Sequence, residues 1–197
     1  MKNSILIISM LLCSYFVLSQ DKGGEYILKA DTTWSKEIIP FPIHFAPEIK
    51  WKGYEDAQFM PGWGKQDSPE FWSYIFAWNI KESIQLTESE LESSLRFYFD
   101  GLMKVVNKDK NKVLPPTNVV LKSGEPSSKD LHYQGKIKVY DSFRTKKVIT
   151  LNTLVEIQRC TSTEKTIIIF RFSPKDLEHY VWSKLKEVEL RNDVCDM

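Results

Sequence analysis

The stretch at 71–81 reads Phe71-Trp72-Ser73-Tyr74-Ile75-Phe76-Ala77-Trp78-Asn79-Ile80-Lys81. Taken as an extended strand, it splits by parity into two faces. Trp72, Tyr74, Phe76, Trp78 and Ile80 share one, and Phe71, Ser73, Ile75, Ala77 and Asn79 share the other. Aromatic and β-branched residues at this spacing predict a strand with one bulky apolar face and one smaller, mostly apolar face. Such a strand belongs in the middle of a sheet, and the rest of the chain is read as what covers it.

Downstream, Thr87-Glu88-Ser89-Glu90 has the form of a capping box, in which the Thr hydroxyl serves a first-turn amide and the Glu reaches back. Leu91, Leu95, Tyr98, Leu102, Val105 and Val106 follow at helical spacing, with Phe99 and Met103 widening the stripe. The spacing predicts a helix over 88–106 that packs on the sheet. Strands are then expected at 117–122, 131–143, 147–159 and 166–172, the last two joined by a hairpin loop at 161–165. In 131–143, Leu131, Tyr133, Ile137 and Val139 alternate with wetter residues, which marks a strand with one core face. Ser173-Pro174-Lys175-Asp176 predicts a second helix with Ser173 as cap, whose stripe is Leu177, Tyr180, Val181, Leu185 and Val188. Residues 191–197 read as a polar tail.

Upstream, 54–60 reads as a short strand and Pro61-Gly62-Trp63-Gly64 as a turn cluster. In 38–45, Ile39, Phe41, Ile43 and Phe45 alternate with Ile38, Pro40, Pro42 and His44; the two prolines make this an edge or irregular strand. Residues 20–36 form a lead-in that adds a further edge strand. The fold class is therefore α+β: a mainly antiparallel sheet of about six or seven strands packed by two amphipathic helices.

Residues 1–19 are set apart as a secretory signal peptide. Lys2 supplies a positive start, Ile5-Leu6-Ile7-Ile8-Ser9-Met10-Leu11-Leu12 an apolar core, and Val17-Leu18-Ser19 a small-residue end. Cys13 follows Leu12, where lipoprotein processing wants a small residue, so a cleaved signal is the preferred reading. The apolar run falls short of the roughly 20 residues that span a bilayer, and no later run approaches it, so no transmembrane segment is expected after cleavage. The remaining 20–197 is read as a single α+β domain that is exported, either periplasmic or extracellular. Lys2 is the one basic residue in 1–19, so 26 basic and 26 acidic residues remain from the 27 and 26 of the whole chain. With no basic excess, nucleic-acid binding is not expected. Cys160 and Cys195 survive cleavage. In an oxidising compartment they form a disulfide tying the tail to a strand end, or they stand as two separate thiols.

Within 41–81 the chain carries Phe45-Ala46-Pro47, Gly53-Tyr54-Glu55, Pro61-Gly62-Trp63 and Trp72-Ser73-Tyr74. This pattern resembles that of a family of uncharacterised exported bacterial proteins, and Tyr98-Phe99-Asp100-Gly101-Leu102 also suits it. The resemblance spans 41–102 and implies neither an activity nor catalytic residues. The antiparallel sheet with helices is also loosely similar to domains of the PsbP and Mog1 type, a likeness of layout that carries no site.

No nucleophile elbow, phosphate-binding glycine loop, dinucleotide fingerprint or His-Glu-x-x-His helix is present, and His44, His132 and His179 lack metal-ligand spacing. No metal or other cofactor is expected. The densest mixed cluster contains His44, Glu48, Trp51, Glu55, Asp56 and Trp63. Two functions are weighed. In the first, the chain is a non-enzymatic binding or interaction module of the bacterial cell envelope. Its partner is an envelope protein or a small molecule, contacted through His44, Trp51, Glu55, Trp63 and Trp72. In the second, it is a hydrolase or isomerase pairing His44 with Glu55 or Asp56. Adjacent Glu55 and Asp56 point to opposite faces of a strand, so they do not form a carboxylate pair.

Overall fold

The computed structural model describes residues 25–124 and 131–196; the segment expected to be a signal peptide lies outside them. The elements run β1 (Leu28–Lys29), β2 (Ser35–Pro40), β3 (Gly53–Phe59), β4 (Tyr74–Ile80), α1 (Glu88–Val106) and β5 (Asn118–Ser123). They continue with β6 (Leu131–Tyr140), β7 (Val148–Cys160), β8 (Lys165–Ser173), α2 (Tyr180–Glu187) and β9 (Glu189–Leu190). The fold is α+β. Seven strands form one sheet in the order β2-β3-β4-β8-β7-β6-β5, antiparallel throughout, and β1 with β9 makes a small second sheet. The strand read as central sits inside the sheet between β3 and β8, and every residue of β4 is buried.

One face of β4 carries Tyr74, Phe76, Trp78 and Ile80 into the larger core, beneath Leu91, Leu95, Tyr98, Phe99 and Met103 of α1. Phe170 and Phe172 of β8 continue that row of rings at 4.6–5.2 Å from their β4 neighbours. The capping box forms at 87–90: Thr87 Oγ1 accepts from Glu90 N at 3.3 Å and Glu90 Oε2 accepts from Thr87 N at 2.8 Å. Two acids of α1 cover the sheet's far edge, Glu92 accepting from Leu121 N and Asp100 from Thr117 N, both at 2.7 Å. Edge amides paired this way are closed to another chain.

The other face of β4 offers Ile75 and Ala77 to a second core with Ile27, Leu28, Trp34, Val181, Trp182 and Leu185. The lead-in as far as Trp34 thus lies across this face, with only the two residues of β1 in a ladder, and its last residues, Ser35 and Lys36, open the edge strand β2. Its apolar residues are too closely grouped for an edge strand's single buried face, and all three of Ile27, Leu28 and Trp34 are buried.

Three further expectations are corrected. The strand expected through Phe45 ends at Pro40, because Pro42 has no amide for a ladder and the chain turns there through a cis Phe41–Pro42 bond. Ile43 and Phe45 then tuck into the end of the larger core. The second helix starts at Tyr180 and not at Ser173, which is the last residue of β8. There the Ser173 hydroxyl lies 2.8 Å from that of Ser73 in a buried pair, and Ser173 keeps register with Asn152. His179 caps α2 instead, its Nδ1 accepting from Val181 N at 3.3 Å. Tyr180 of the expected stripe is exposed and Trp182 is buried in its place. The tail is no free end: Val194 is buried, and Cys160 and Cys195 form a disulfide with Cα atoms 5.2 Å apart.

Candidate functional site

The apolar stripe of α1 continues past its fully buried part in Leu102 and Val106, which are half-buried. Leu102, Val105 and Val106 overhang β2 and β3, and Val105 is 50% exposed. Between this overhang and the sheet lies a cavity of about 660 Å³. Its floor is Phe59 of β3 and Tyr74 of β4, stacked at 5.4 Å. One end is closed by Phe45 against Tyr98 at 5.1 Å, with His44 beside them. At the other end Trp63, Trp72 and Phe143 meet edge to face, Phe143 lying 5.9 Å from each indole. Glu37 of β2 stands at the rim. The lining thus combines aromatic rings with aliphatic side chains of α1 and β2, and Ser35, Lys36, Glu37 and His44 add polar groups, the mixture that small-molecule sites show.

Local chemistry places each ring. The turn cluster at 61–64 folds back on itself, Trp63 N donating to Met60 O at 3.0 Å and Gly62 N to Glu70 Oε2 at 2.9 Å. Trp63 consequently packs on Phe59 at 4.8 Å. Trp72 sits just before β4 with φ +52°, a left-handed conformation that a tryptophan adopts only when its surroundings impose it. Its N–H donates to Trp63 O at 2.9 Å, which joins the two indoles through the backbone. Phe143 is presented by a turn built on Asp141, whose carboxylate accepts from Phe143 N, Arg144 N and Thr145 N at 2.7–3.0 Å.

Glu55 lies beneath this cavity and is fully buried. Its register partner on β4 is Trp78, whose Nε1 donates to Oε2 at 2.8 Å, while Oε1 lies 2.8 Å from the Tyr98 hydroxyl. Burial raises the carboxyl to about 8; the two hydrogen bonds oppose the rise, and Glu37 and Asp56 add to it. The same burial, with Glu55 nearby, lifts the Tyr74 and Tyr98 phenols well above their ordinary value. Asp56 faces the opposite side, where it accepts from Ile27 N at 2.7 Å and Leu28 N at 2.8 Å. Burial is also the main cause that raises its carboxyl, against the pull of those amides and of Gln58.

Of the residues singled out in the sequence, His44, Trp63 and Trp72 line the cavity and Glu55 touches it through Tyr98. Trp51 lies outside, packed on Trp78 at 5.2 Å and Phe41 at 6.3 Å. His44 is exposed, both Glu55 oxygens are taken, and Asp56 is on the far face; no hydrogen bond or ion pair among the described residues joins His44 to either acid. Phe59, Tyr74, Tyr98 and Phe143 were not foreseen as lining. An acid at a core-facing position opposite Trp78 was a signal for buried polar partners, and Tyr98 was already on the helix stripe. Phe143 was expected at the end of a strand over 131–143; the strand stops at Tyr140, and the local signal was Asp141, whose carboxylate turns the chain at 143–145.

Among the described residues there is no cluster of three metal-ligating side chains, and no helix is long and apolar enough to cross a membrane. Comparison with family models, curated proteins and solved structures finds no match for the chain.

Proposed function

We propose that this chain is an exported, non-enzymatic binding module of the bacterial cell envelope whose cavity takes an apolar small molecule. The observation that carries the reading is the aromatic cavity itself, about 660 Å³ in volume and walled by rings from three separate segments and by the overhanging end of α1. Rings held this firmly, with apolar area left uncovered by the protein, favour an apolar guest by the same desolvation that builds a core. The Cys160–Cys195 disulfide and the signal-like segment at 1–19 support an oxidising, exported setting.

The test is titration with N-phenyl-1-naphthylamine, an uncharged dye whose emission rises in apolar surroundings. The wild-type protein is expected to bind it. Trp63→Ala should weaken binding about tenfold through lost ring contact, Leu102→Trp should abolish it by filling the cavity, and Trp51→Ala should leave it unchanged. Dye binding that ignores Trp63→Ala and Leu102→Trp, or no binding at all, overturns the reading.

A further inference from the structure

The ring-lined cavity contains hydroxyl groups that its apolar lining does not explain. No described residue hydrogen-bonds the Tyr74 hydroxyl, although the side chain is buried and lines the cavity. Tyr98 Oη has a single described partner, Oε1 of Glu55 at 2.8 Å. Trp78 Nε1 is only ever a donor, so Glu55 Oε2 must accept from it.

What remains is the position of one proton. Glu55 is buried without a bonded cation. The groups around it are Glu37 from β2, Asp56 on its own strand, Tyr74 and Trp78 from β4, Tyr98 from α1, and His44 in the chain between β2 and β3 at the cavity wall. Lys36, next along β2, sets its ammonium 5.5 Å over the Tyr26 ring. A buried carboxyl in such company keeps its proton. Toward an ionised Glu55 it is Tyr98 that donates to Oε1; with the proton kept and Oε2 engaged by Trp78, the direction reverses, Oε1 carrying the hydrogen and Tyr98 Oη accepting it. The phenol's own proton then has no described protein acceptor, and the cavity is what lies beside it. Were Glu55 ionised, Tyr98 would donate to the carboxylate and show the cavity only lone pairs.

We infer, on the basis of the binding reading above, that the cavity selects an uncharged apolar ligand bearing one carbonyl-type oxygen. Tyr74 and Tyr98 donate to that oxygen, and Glu55 is the positioning residue that aims the Tyr98 hydroxyl. A pure hydrocarbon would strand both donors away from water, and an ammonium would meet hydrogens where it needs lone pairs.

Three molecules of nearly equal shape separate these outcomes: 2-acetylnaphthalene, 2-ethylnaphthalene and 1-(2-naphthyl)ethylammonium, titrated by calorimetry at pH 6.5 and pH 9.5. At pH 6.5 the ketone should bind about tenfold more tightly than the ethyl compound, the effect of two modest hydrogen bonds. That preference should shrink at pH 9.5, above the value of about 8 reached by the Glu55 carboxyl. Tyr74→Phe should lose several-fold of the preference at pH 6.5. Glu55→Gln, whose amide accepts from Trp78 and donates to Tyr98 at any pH, should hold the preference at both. Equal binding of ketone and ethyl compound at pH 6.5 overturns the inference and leaves the apolar cavity standing. Tightest binding of the ammonium overturns it by revealing an ionised Glu55, as does a Glu55→Gln protein that loses the preference at pH 9.5 as the wild type does. If neither the ketone nor the ethyl compound binds, the binding reading falls as well.

Discussion

Glu55 is an acid in a place where a core would ordinarily have an apolar residue, and pH exposes what that costs. The unfolded chain releases its proton near the ordinary glutamate value of about 4.3, whereas the folded chain holds it to about 8. Glu55 therefore favours folding fully below about pH 4.3, and that contribution is lost as pH rises to about 8, because the unfolded state alone gains from ionising. Glu55→Gln removes the linkage while keeping both hydrogen bonds. At pH 7 it should be more stable than the wild type by on the order of 2 kcal/mol, with the gap closing near pH 4.5; urea denaturation at the two pH values measures it. A gap that does not change with pH would show that Glu55 is already ionised in the folded protein. At this scale the sequence was partly legible. Strand parity was enough to put Glu55 and Asp56 on opposite faces, where they lie. The partners Tyr98 and Trp78 were not readable as partners, because they stand 43 and 23 residues from Glu55, on a helix and a strand that can be set against β3 in many ways, and only the packed fold selects one.

At the scale of elements, α1 is the part that local chemistry specifies most fully. Its capping box starts it at Glu88 and its stripe runs to Val106, the bounds the sequence suggested. α2 shows the opposite: a cap-like Ser-Pro pair was outweighed by a ladder position and a buried hydroxyl pair, neither of which is a local property. The lead-in and the end of the expected 38–45 strand were misplaced for a related reason, since period-2 alternation shows that residues want cover without showing which surface supplies it. Helix α1 also makes one close approach that matters to the cavity. A Cβ on Gly101 would lie 1.7 Å from Phe45 O, so the helix backbone rests directly on the segment that supplies Phe45 and His44. In a free helix, Gly→Ala is favourable by about 1 kcal/mol. Here Gly101→Ala should instead destabilise by about 2–3 kcal/mol and displace Phe45, because the clash is with backbone and not with a yielding side chain. Thermal melting checks the sign; a rise in melting temperature would show that the approach is looser than described.

Taken as a whole, the molecule is a sheet covered unequally on its two faces. α1 and the aromatic row fill one face. The other is closed by a short helix, the lead-in and the tail, with Arg171 buried beneath them. Its Nε donates to Leu185 O and its Nη2 to Val188 O at 2.8 and 3.1 Å, and its Nη1 pairs with Glu156 at 2.9 Å. These pieces are short, and the Cys160–Cys195 bridge across 35 residues of chain secures them. Cys160→Ser with Cys195→Ser should cost about 3–4 kcal/mol by releasing loop entropy to the unfolded state, while leaving the cavity on the opposite face able to bind. Chemical denaturation alongside dye titration checks both, and parallel loss of binding would show that the two faces are not separable. The same bridge also governs how the chain bears load. β1 and β9 are antiparallel, with Leu28 opposite Leu190, so without the bridge a pull on both chain ends would peel that pair apart one rung at a time. Tension arriving from beyond Cys195, however, crosses the covalent link straight into the end of β7. The hairpin, β8, α2 and β9 lie in the bypassed loop and remain slack while the rest of the chain is drawn taut.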